Sequence, residues 1–361
     1  MVAWVDTIYL FAHGDGQWYG QGNYPYIVYN SPPTSATPTD PSLDVLSLGK
    51  FGFIILGFKN KFTLSEIRTF ENVFIYSINP DTQVFAEPGL LYYSKNGEIF
   101  FQYPFDTLNS NIYYWNGLSG IKPTNYGQDV NNPNVWMGDK FLFSDTVRFI
   151  LIADWISKCK HALCSGYDLD AVACLNCQYD NFNYFMPDII YAVGTNGDTL
   201  DWKNKVSNVD GNCLNIGENG ILIFRNLNIV NMPGIDFKII SSAPVRIYGG
   251  NGKLNFINAF YSNSRLDTIG EIDSLKSRQI LSPFTVSDTI RILAIRSDQS
   301  ACIDGIEFYH THVEENIDYK KDVKIYSVDG KLIYSGNYRN FHKKGIFIIK
   351  QNKFIRKEVR R

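Results

Sequence analysis

The residues best placed to do chemistry are oxygen donors in the first half of the chain: Glu71, Asn72, Glu87, Asp168 and Asp170. Successive side chains on a strand alternate between faces, so Asp168 and Asp170, two apart, are expected to point the same way. With Glu71, Glu87 and the Asn72 carbonyl they would offer the hard oxygen ligands that Ca2+ gathers, roughly six to eight at a time. The same acids could instead cap turns at one end of a sandwich by accepting backbone hydrogen bonds. Both readings stay open on sequence alone.

A second group is aromatic. Tyr113, Tyr114, Trp115, Tyr126 and Trp136 lie in an Asn-rich, irregular stretch over residues 106–143. Flat rings match the apolar faces of pyranoses, and Asn side chains bond hydroxyls, so a glycan or cell-surface ligand is one expectation. Cover for a sheet, or a subunit interface, is the other, because Tyr and Trp suit half-wet contacts. Signatures of catalysis are missing. None of the five histidines sits in an H-E-x-x-H arrangement, and no Gly-x-Ser-x-Gly elbow or phosphate loop occurs. The expectation is a protein that is not an enzyme. Glycoside hydrolysis stays as an alternative, since its paired carboxylates are spaced in the fold and not along the chain.

The elements that must position these residues are strands. Tyr and Phe, 23 and 25 in number, dominate an aromatic content of 15%, which suits sheets. Ser144-Asp-Thr-Val-Arg-Phe-Ile-Leu-Ile-Ala-Asp154, then Gly166-Tyr-Asp-Leu-Asp-Ala-Val-Ala-Cys-Leu-Asn176, read as two strands bounded by turn residues. Ser287-Asp-Thr-Ile-Arg-Ile-Leu-Ala-Ile-Arg-Ser-Asp298, followed by Ala301-Cys-Ile-Asp-Gly-Ile-Glu-Phe-Tyr309, repeats them. Upstream, Leu46-Ser-Leu-Gly-Lys-Phe-Gly-Phe-Ile-Ile-Leu-Gly-Phe58 is echoed by Leu214-Asn-Ile-Gly-Glu-Asn-Gly-Ile-Leu-Ile-Phe-Arg-Asn226. Two blocks recurring in the same order indicate a tandem duplication. Aligning the copies sets Ile240-Ser-Ser242 against Phe70-Glu-Asn72 and Cys302 against Asp168, so an ion site would belong to the first copy alone. Lys95-Asn-Gly97 marks a hairpin. Val2 to Phe11 reads as one strand, and only Leu266–Ser277 could carry a helical turn or two.

The expected fold is all-β: two tandem jelly-roll-like β-sandwich domains, residues 1–178 and 183–314, then a small Ig-like β-sandwich tail, 318–361. Charge supports a separate tail. From Ile317 onward there are 13 Lys/Arg and 4 Asp/Glu, or +9, against 21 and 32, or −11, before it. The net charge of −2 gives no sign of a nucleic-acid partner, and no stretch approaches the ~20 apolar residues of a membrane span. Met1 to Phe11 lacks the basic start of a signal peptide, so either a cytosolic protein or a mature N-terminus is expected.

Two resemblances add to this. Val323-Lys-Ile-Tyr-Ser-Val-Asp-Gly-Lys-Leu-Ile-Tyr-Ser-Gly336, Lys344-Gly-Ile-Phe-Ile-Ile-Lys350 and Lys353 to Arg361 resemble the C-terminal sorting domain of proteins exported by the type IX secretion system of Gram-negative bacteria. That resemblance implies a type IX-like export machinery as partner, anchoring at the outer surface and an Ig-like tail. Phe70-Glu-Asn72, Glu87-Pro88 and Gly166-Tyr-Asp-Leu-Asp-Ala-Val172 resemble a repeat of bacterial cell-surface proteins, over about residues 4–176. It implies an extracellular location more than an activity. The strand layout resembles the jelly-roll sandwiches used for carbohydrate binding and adhesion, so adhesion or self-assembly into a filament or lattice is the expected role, with a carbohydrate-binding module as the alternative.

The six cysteines divide four and two between the copies, Cys159, Cys164, Cys174 and Cys177 in the first, Cys213 and Cys302 in the second. Even numbers suit disulfides within each copy. Zinc held by Cys159, His161, Cys164 and the Cys174–Cys177 pair is the competing use. In the second copy Cys213 precedes a central strand and Cys302 opens the closing one; early and last strands of jelly rolls lie side by side. A Cys213–Cys302 disulfide is expected there, and buried free thiols are the alternative. Such a bridge would stabilise by about 4–5 kcal/mol in the chain-entropy model. Mass spectrometry of an unreduced digest should yield one peptide pair joining Cys213 to Cys302. Alkylation of both before reduction would rule the bridge out.

Overall fold

Four runs in this chain are apolar without alternation: Phe53–Leu56, Phe149–Ala153, Ile221–Phe224 and Ile292–Ile295, every residue of them buried. A strand reads this way only when both of its faces are covered, and the architecture supplies that cover. The structure is a computed structural model. It describes residues 1–15, 19–58, 62–155, 166–180, 189–197, 214–225, 235–241, 243, 245–250, 265–272, 292–310, 322–326, 332–337, 345–351 and 354–360. Among these the chain is all-β, with helix only as three-residue 3-10 turns, and no helix is long and apolar enough to cross a membrane.

The first copy contributes β1 (Val2–Trp4), β2 (Thr7–Ala12), β3 (Leu46–Ser47), β4 (Phe53–Gly57), β5 (Phe62–Glu71), β6 (Phe74–Ser77) and β7 (Gln83–Phe85). It continues with β8 (Gly89–Ser94), β9 (Ile99–Gln102), β10 (Leu118–Ser119), β11 (Asp139–Val147), β12 (Phe149–Asp154), β13 (Asp168–Leu175) and β14 (Gln178–Tyr179). The second copy contributes β15 (Ile189–Val193), β16 (Leu214–Asn215), β17 (Ile221–Phe224), β18 (Ile235–Ser241), β19 (Val245–Gly250), β20 (Arg265–Ile272), β21 (Ile292–Arg296) and β22 (Cys302–His310). The tail holds β23 (Asp322–Tyr326), β24 (Leu332–Asn337), β25 (Gly345–Gln351) and β26 (Phe354–Arg360), an antiparallel sheet of order β24-β23-β25-β26 that pairs with no other described sheet.

Each copy stacks two sheets. The inner sheet of the first runs β9-β8-β12-β4-β2, and that of the second runs β20-β19-β21-β17-β15, the same order of equivalent strands. The outer sheets are β1-β13-β5-β11, with β3 on β13 and β14 on β5, and β16-β22-β18. The inner sheets then join at both edges. β2 pairs in parallel with β20, and β15 pairs in parallel with β9, so ten strands close into a ring. One apolar core fills the inside of the ring, with Phe53, Tyr92, Phe100, Phe149 and Leu151 from one copy and Ile190, Ile221, Ile223, Tyr248 and Ala294 from the other. A second core lies between ring and outer sheet in each copy: Leu56, Ile150 and Ile152 against Leu64, Ile67 and Val172, and Leu222, Phe224 and Ile295 against Leu214 and Ile303.

The duplication is legible in backbone geometry. Phe51 and Asn219, at equivalent positions, both hold left-handed conformations, φ 64° and 61°. Around them Gly52 N donates to Gly49 O as Gly220 N does to Gly217 O, and the Asp15–Lys50 bridge is repeated by Thr195–Glu218. Each turn is gripped by the other copy. The Tyr92 hydroxyl donates to Asn219 O, and its equivalent Tyr248 to Phe51 O, both at 2.7 Å. The second copy adds Arg296, 1% exposed, where the first has Ala153. Its guanidinium donates to Phe51 O at 2.5 Å, to Gly52 O at 2.9 Å and to Asp154 O. Arg246 lies over the Phe51 ring and pairs with Asp15 at 2.6 Å.

Several expectations change. Val2 to Phe11 is two strands on two sheets, since Val5 N bonds Val172 O in the outer layer while Thr7 begins the ring. Residues 265–272 are strand, not helix, because they close the ring between β19 and β2. Cys174 and Cys177 are bonded to each other, which removes them as zinc ligands. Cys302 is disulfide-bonded; Cys213, Cys159 and Cys164 lie outside the described residues.

Removing either tyrosine hydroxyl deletes one buried hydrogen bond, although Phe51 O keeps Arg296 as a second donor when Tyr248 is changed. Tyr92→Phe and Tyr248→Phe should each lower stability by about 1 kcal/mol, and Arg296→Met by about 3 kcal/mol, because three buried carbonyls each lose a charged donor. Guanidinium denaturation of the full chain checks the order, with no difference between Arg296→Met and the Phe variants counting against it.

Candidate functional site

The outer sheet of the first copy ends in acids. Glu71 is the last residue of β5, Asp168 the first of β13, and Glu87 lies in the turn leading to β8. Their placement follows from pairing: Leu169 sits opposite Glu71, and Asp168 opposite Ser47 of β3. The approach of residue 166 to the chain at Gly49 is possible only for glycine. Gly166 has φ 110°, and a Cβ there would lie 2.5 Å from the Gly49 carbonyl carbon. Gly166 N donates to Glu87 Oε1 at 3.2 Å, and Tyr167 N to Asp154 Oδ1 at 2.9 Å.

Ligand oxygens of Glu71, Glu87 and Asp168 all lie within 4.8 Å of one another, and the three residues are 2%, 4% and 8% exposed. Neither oxygen of Glu71 has a hydrogen-bond partner, nor do Asp168 Oδ1 and Asn72 Oδ1. Asn72 Nδ2 donates to Asp168 Oδ2 at 3.3 Å, so the NH2 side of the amide faces Asp168 and its carbonyl would meet an ion there only after an amide flip. Burial, then the charges of Glu87, Asp168 and Asp139, push the Glu71 carboxyl well above the usual range. Burial raises Asp168 to about 6, against the lowering pull of Ser47 and Asn72. An acceptor-only group without a donor is costly in a dry site, so this arrangement can hold a proton or a cation.

Asp170 does not join them. β13 pairs Leu169 with Glu71 and Ala171 with Phe70, leaving Asp170 as the extra residue of a β-bulge, and a bulge breaks the face alternation on which the two-aspartate expectation rested. Its neighbours are Ser42 and Asp44; burial first, then Asp44, raises it to about 7. The same bulge recurs in β22, where Asp304 is the unpaired residue between Ile303 and Gly305.

Asp139 was not singled out from sequence. As the first residue of β11 it accepts from Ile121 N at 2.9 Å and Lys122 N at 3.1 Å, and burial raises it to about 7. Its only sequence mark is a Gly-Asp step at a strand start. Beneath the acids the Ser119 hydroxyl lies 2.5 Å from both Thr69 Oγ1 and the Tyr167 hydroxyl.

The aromatic group is mostly cover. Trp115, Tyr126 and Trp136 are 4%, 7% and 3% exposed, so none of these three offers a stacking face. Trp136 stacks on Trp4 at 5.2 Å with Tyr126 edge-on, and Trp115 packs into the ring core. Their indole N–H groups donate to Asp129 O and Asn109 O. Tyr113 is half-buried under Lys122, and Tyr114, 44% exposed, has its hydroxyl on Asp81 at 2.6 Å. Burial of indoles with satisfied donors is the cheaper use of such side chains.

No family model matches the chain, and no curated protein does. Among solved structures, one titled "Structure of allantoicase" superposes with a TM-score of 0.23 and 8% identity, covering 83% of this chain and 89% of that chain. So loose a likeness carries no argument about fold or activity.

The raised carboxyls fix a pH dependence. Glu71, Asp139, Asp168 and Asp170 hold protons more tightly folded than unfolded, so their contribution to stability is full below the unfolded values; for Asp139, Asp168 and Asp170 it is lost as pH rises through about 6 to about 7, and for Glu71 it is lost as pH rises through its own raised value. In chelator, the denaturation midpoint should be higher at about pH 5.5 than at about pH 7.5, and Glu71→Gln should flatten the difference. A midpoint that rises with pH in the chelated protein would contradict the assignment.

Proposed function

We propose that this is a secreted, non-enzymatic cell-surface protein serving adhesion or extracellular assembly, and that Glu71, Glu87, Asp168 and the Asn72 carbonyl hold a structural Ca2+ in its first repeat. The observation that carries the ion is Glu71, a fully enclosed carboxylate with two unpartnered oxygens facing two further carboxylates. Capping accounts poorly for it, since neither oxygen accepts a well-formed hydrogen bond and the pull of the Asp168 backbone is outweighed by burial and the neighbouring acids. Nor does the fold require acids here. In the second repeat the equivalent positions are Ser241, Ala243 and Cys302, on the same strands with the same bulge. An all-oxygen donor set suits a hard cation, and Ca2+ tolerates irregular geometry that Mg2+ does not.

Enclosure also argues against hydrolysis, because three acids almost without exposure leave no face for a sugar ring. With Trp115, Tyr126 and Trp136 inside the protein, assembly or protein-mediated adhesion is favoured over a carbohydrate module. The Cys174–Cys177 disulfide suits an oxidising compartment, and the resemblance of residues 323–361 to a sorting domain supports export and anchoring.

An ion bound only to the folded state stabilises by mass action, about 2–3 kcal/mol at ~100-fold excess over Kd. Scanning calorimetry should therefore show a lower melting temperature in chelator, restored by Ca2+, and no response in Glu71→Gln. A melting curve indifferent to chelator and calcium rejects the ion. Ordered polymers by electron microscopy of the native protein would support assembly. A monodisperse monomer retained on a glycan array would reject it in favour of a binding module.

A further inference from the structure

Resting on that cation site, we propose that ion binding in the first repeat is thermodynamically linked to docking of the second, through the segment Gly166-Tyr167-Asp168. These three consecutive residues each serve a different partner. Gly166 N holds Glu87, Tyr167 N holds Asp154, and Asp168 is itself a ligand. Asp154 then divides its carboxylate, with Oδ1 accepting from Tyr167 N and Oδ2 from Phe51 N, both at 2.9 Å. Phe51 is the residue that the second repeat grips, by the Tyr248 hydroxyl and the Arg296 guanidinium, and Arg296 also reaches Asp154 O. Tyr167 O closes the circuit by accepting from Leu48 N, one residue before the Gly49 turn.

The ion ligands and the anchor of the second repeat are thus separated by one carboxylate and one peptide segment, all hydrogen-bonded and all buried. With neither ion nor proton bound, repulsion among Glu71, Glu87 and Asp168 pushes directly on residues 166–168 and, through Asp154, on the Phe51 turn. With an ion, that segment is fixed in the geometry Arg296 and Tyr248 require. The pseudo-equivalent junction keeps the backbone part of this wiring, with Ile216 N donating to Ala301 O as Leu48 N does to Tyr167 O, but not its acids. Tyr92 grips the Asn219 turn with the same bond, but Ser297 stands where Asp154 does, and no acids lie at the positions of Glu71, Glu87 and Asp168. Linkage is reciprocal, so loosening the docking must weaken the ion.

The test is calcium titration calorimetry on the full chain, metal alone, for wild type, Tyr248→Phe, Arg296→Met and Tyr92→Phe. We expect Arg296→Met to weaken calcium about fivefold or more, Tyr248→Phe to weaken it by a smaller factor, and Tyr92→Phe to leave it unchanged. Should Arg296→Met fail to fold, the contrast between Tyr248→Phe and Tyr92→Phe decides alone. Wild-type affinity in Tyr248→Phe and Arg296→Met would overturn the linkage while leaving the ion site standing. Equal weakening by Tyr92→Phe would overturn it in favour of general loosening. Wild type that binds no calcium would remove the site itself.

Discussion

The structure depends on one constraint: the inner sheet of each repeat is apolar on both faces, and a single repeat can cover only one of them. The outer sheet buries the face carrying Leu56, Ile150 and Ile152, but the face carrying Phe53, Phe149 and Leu151 finds its cover across the ring, in Ile190, Ile221 and Ile223. Closing ten strands also removes the open edges that a five-stranded sheet would present, at β2 and β9 in one repeat and β15 and β20 in the other. Hydrophobic burial and edge satisfaction therefore demand the same arrangement.

On this frame the repeats have kept their backbone and exchanged their side chains. The left-handed turn residue, the flanking glycines and the bulge in the closing strand are retained in both. What differs is charge. Acids occupy one sandwich end in the first repeat where the second has Ser241, Ala243 and Cys302, and a buried arginine occupies one ring position in the second where the first has Ala153. The arginine is aimed at the backbone that carries the acids' supporting segment. Each departure from symmetry falls at the same junction.

Much of the strand layout was legible from residue pattern. The hairpin across Lys95-Asn-Gly97 has its expected partners, and the alignment of Ile240-Ser241 with Phe70-Glu71 agrees with the observed register. Ring closure was not legible, because an unbroken apolar run reports two covered faces without saying what covers the second. Residues 265–272 read as helix because their neighbours in space, β2 and β19, are remote in sequence. The carboxylate group was found by residue type, and the bulge that removes Asp170 has no sequence marker. The tryptophans misled for a physical reason, since a ring that could stack on a sugar is equally the best filler for a sheet end.

The closed ring has a bearing on ancestry. Its two parallel seams join equivalent pairs of strands, so the ring has the layout of an isologous homodimer written on one polypeptide. Tethering converts a concentration-dependent association into an intramolecular one. It also lifts the rule that every substitution in a homodimer appears twice. A second Arg296 facing its mate, or a second acid cluster, would have been compulsory in the dimer. In the fused chain each could be tried once, which is how a symmetric scaffold comes to carry an asymmetric site.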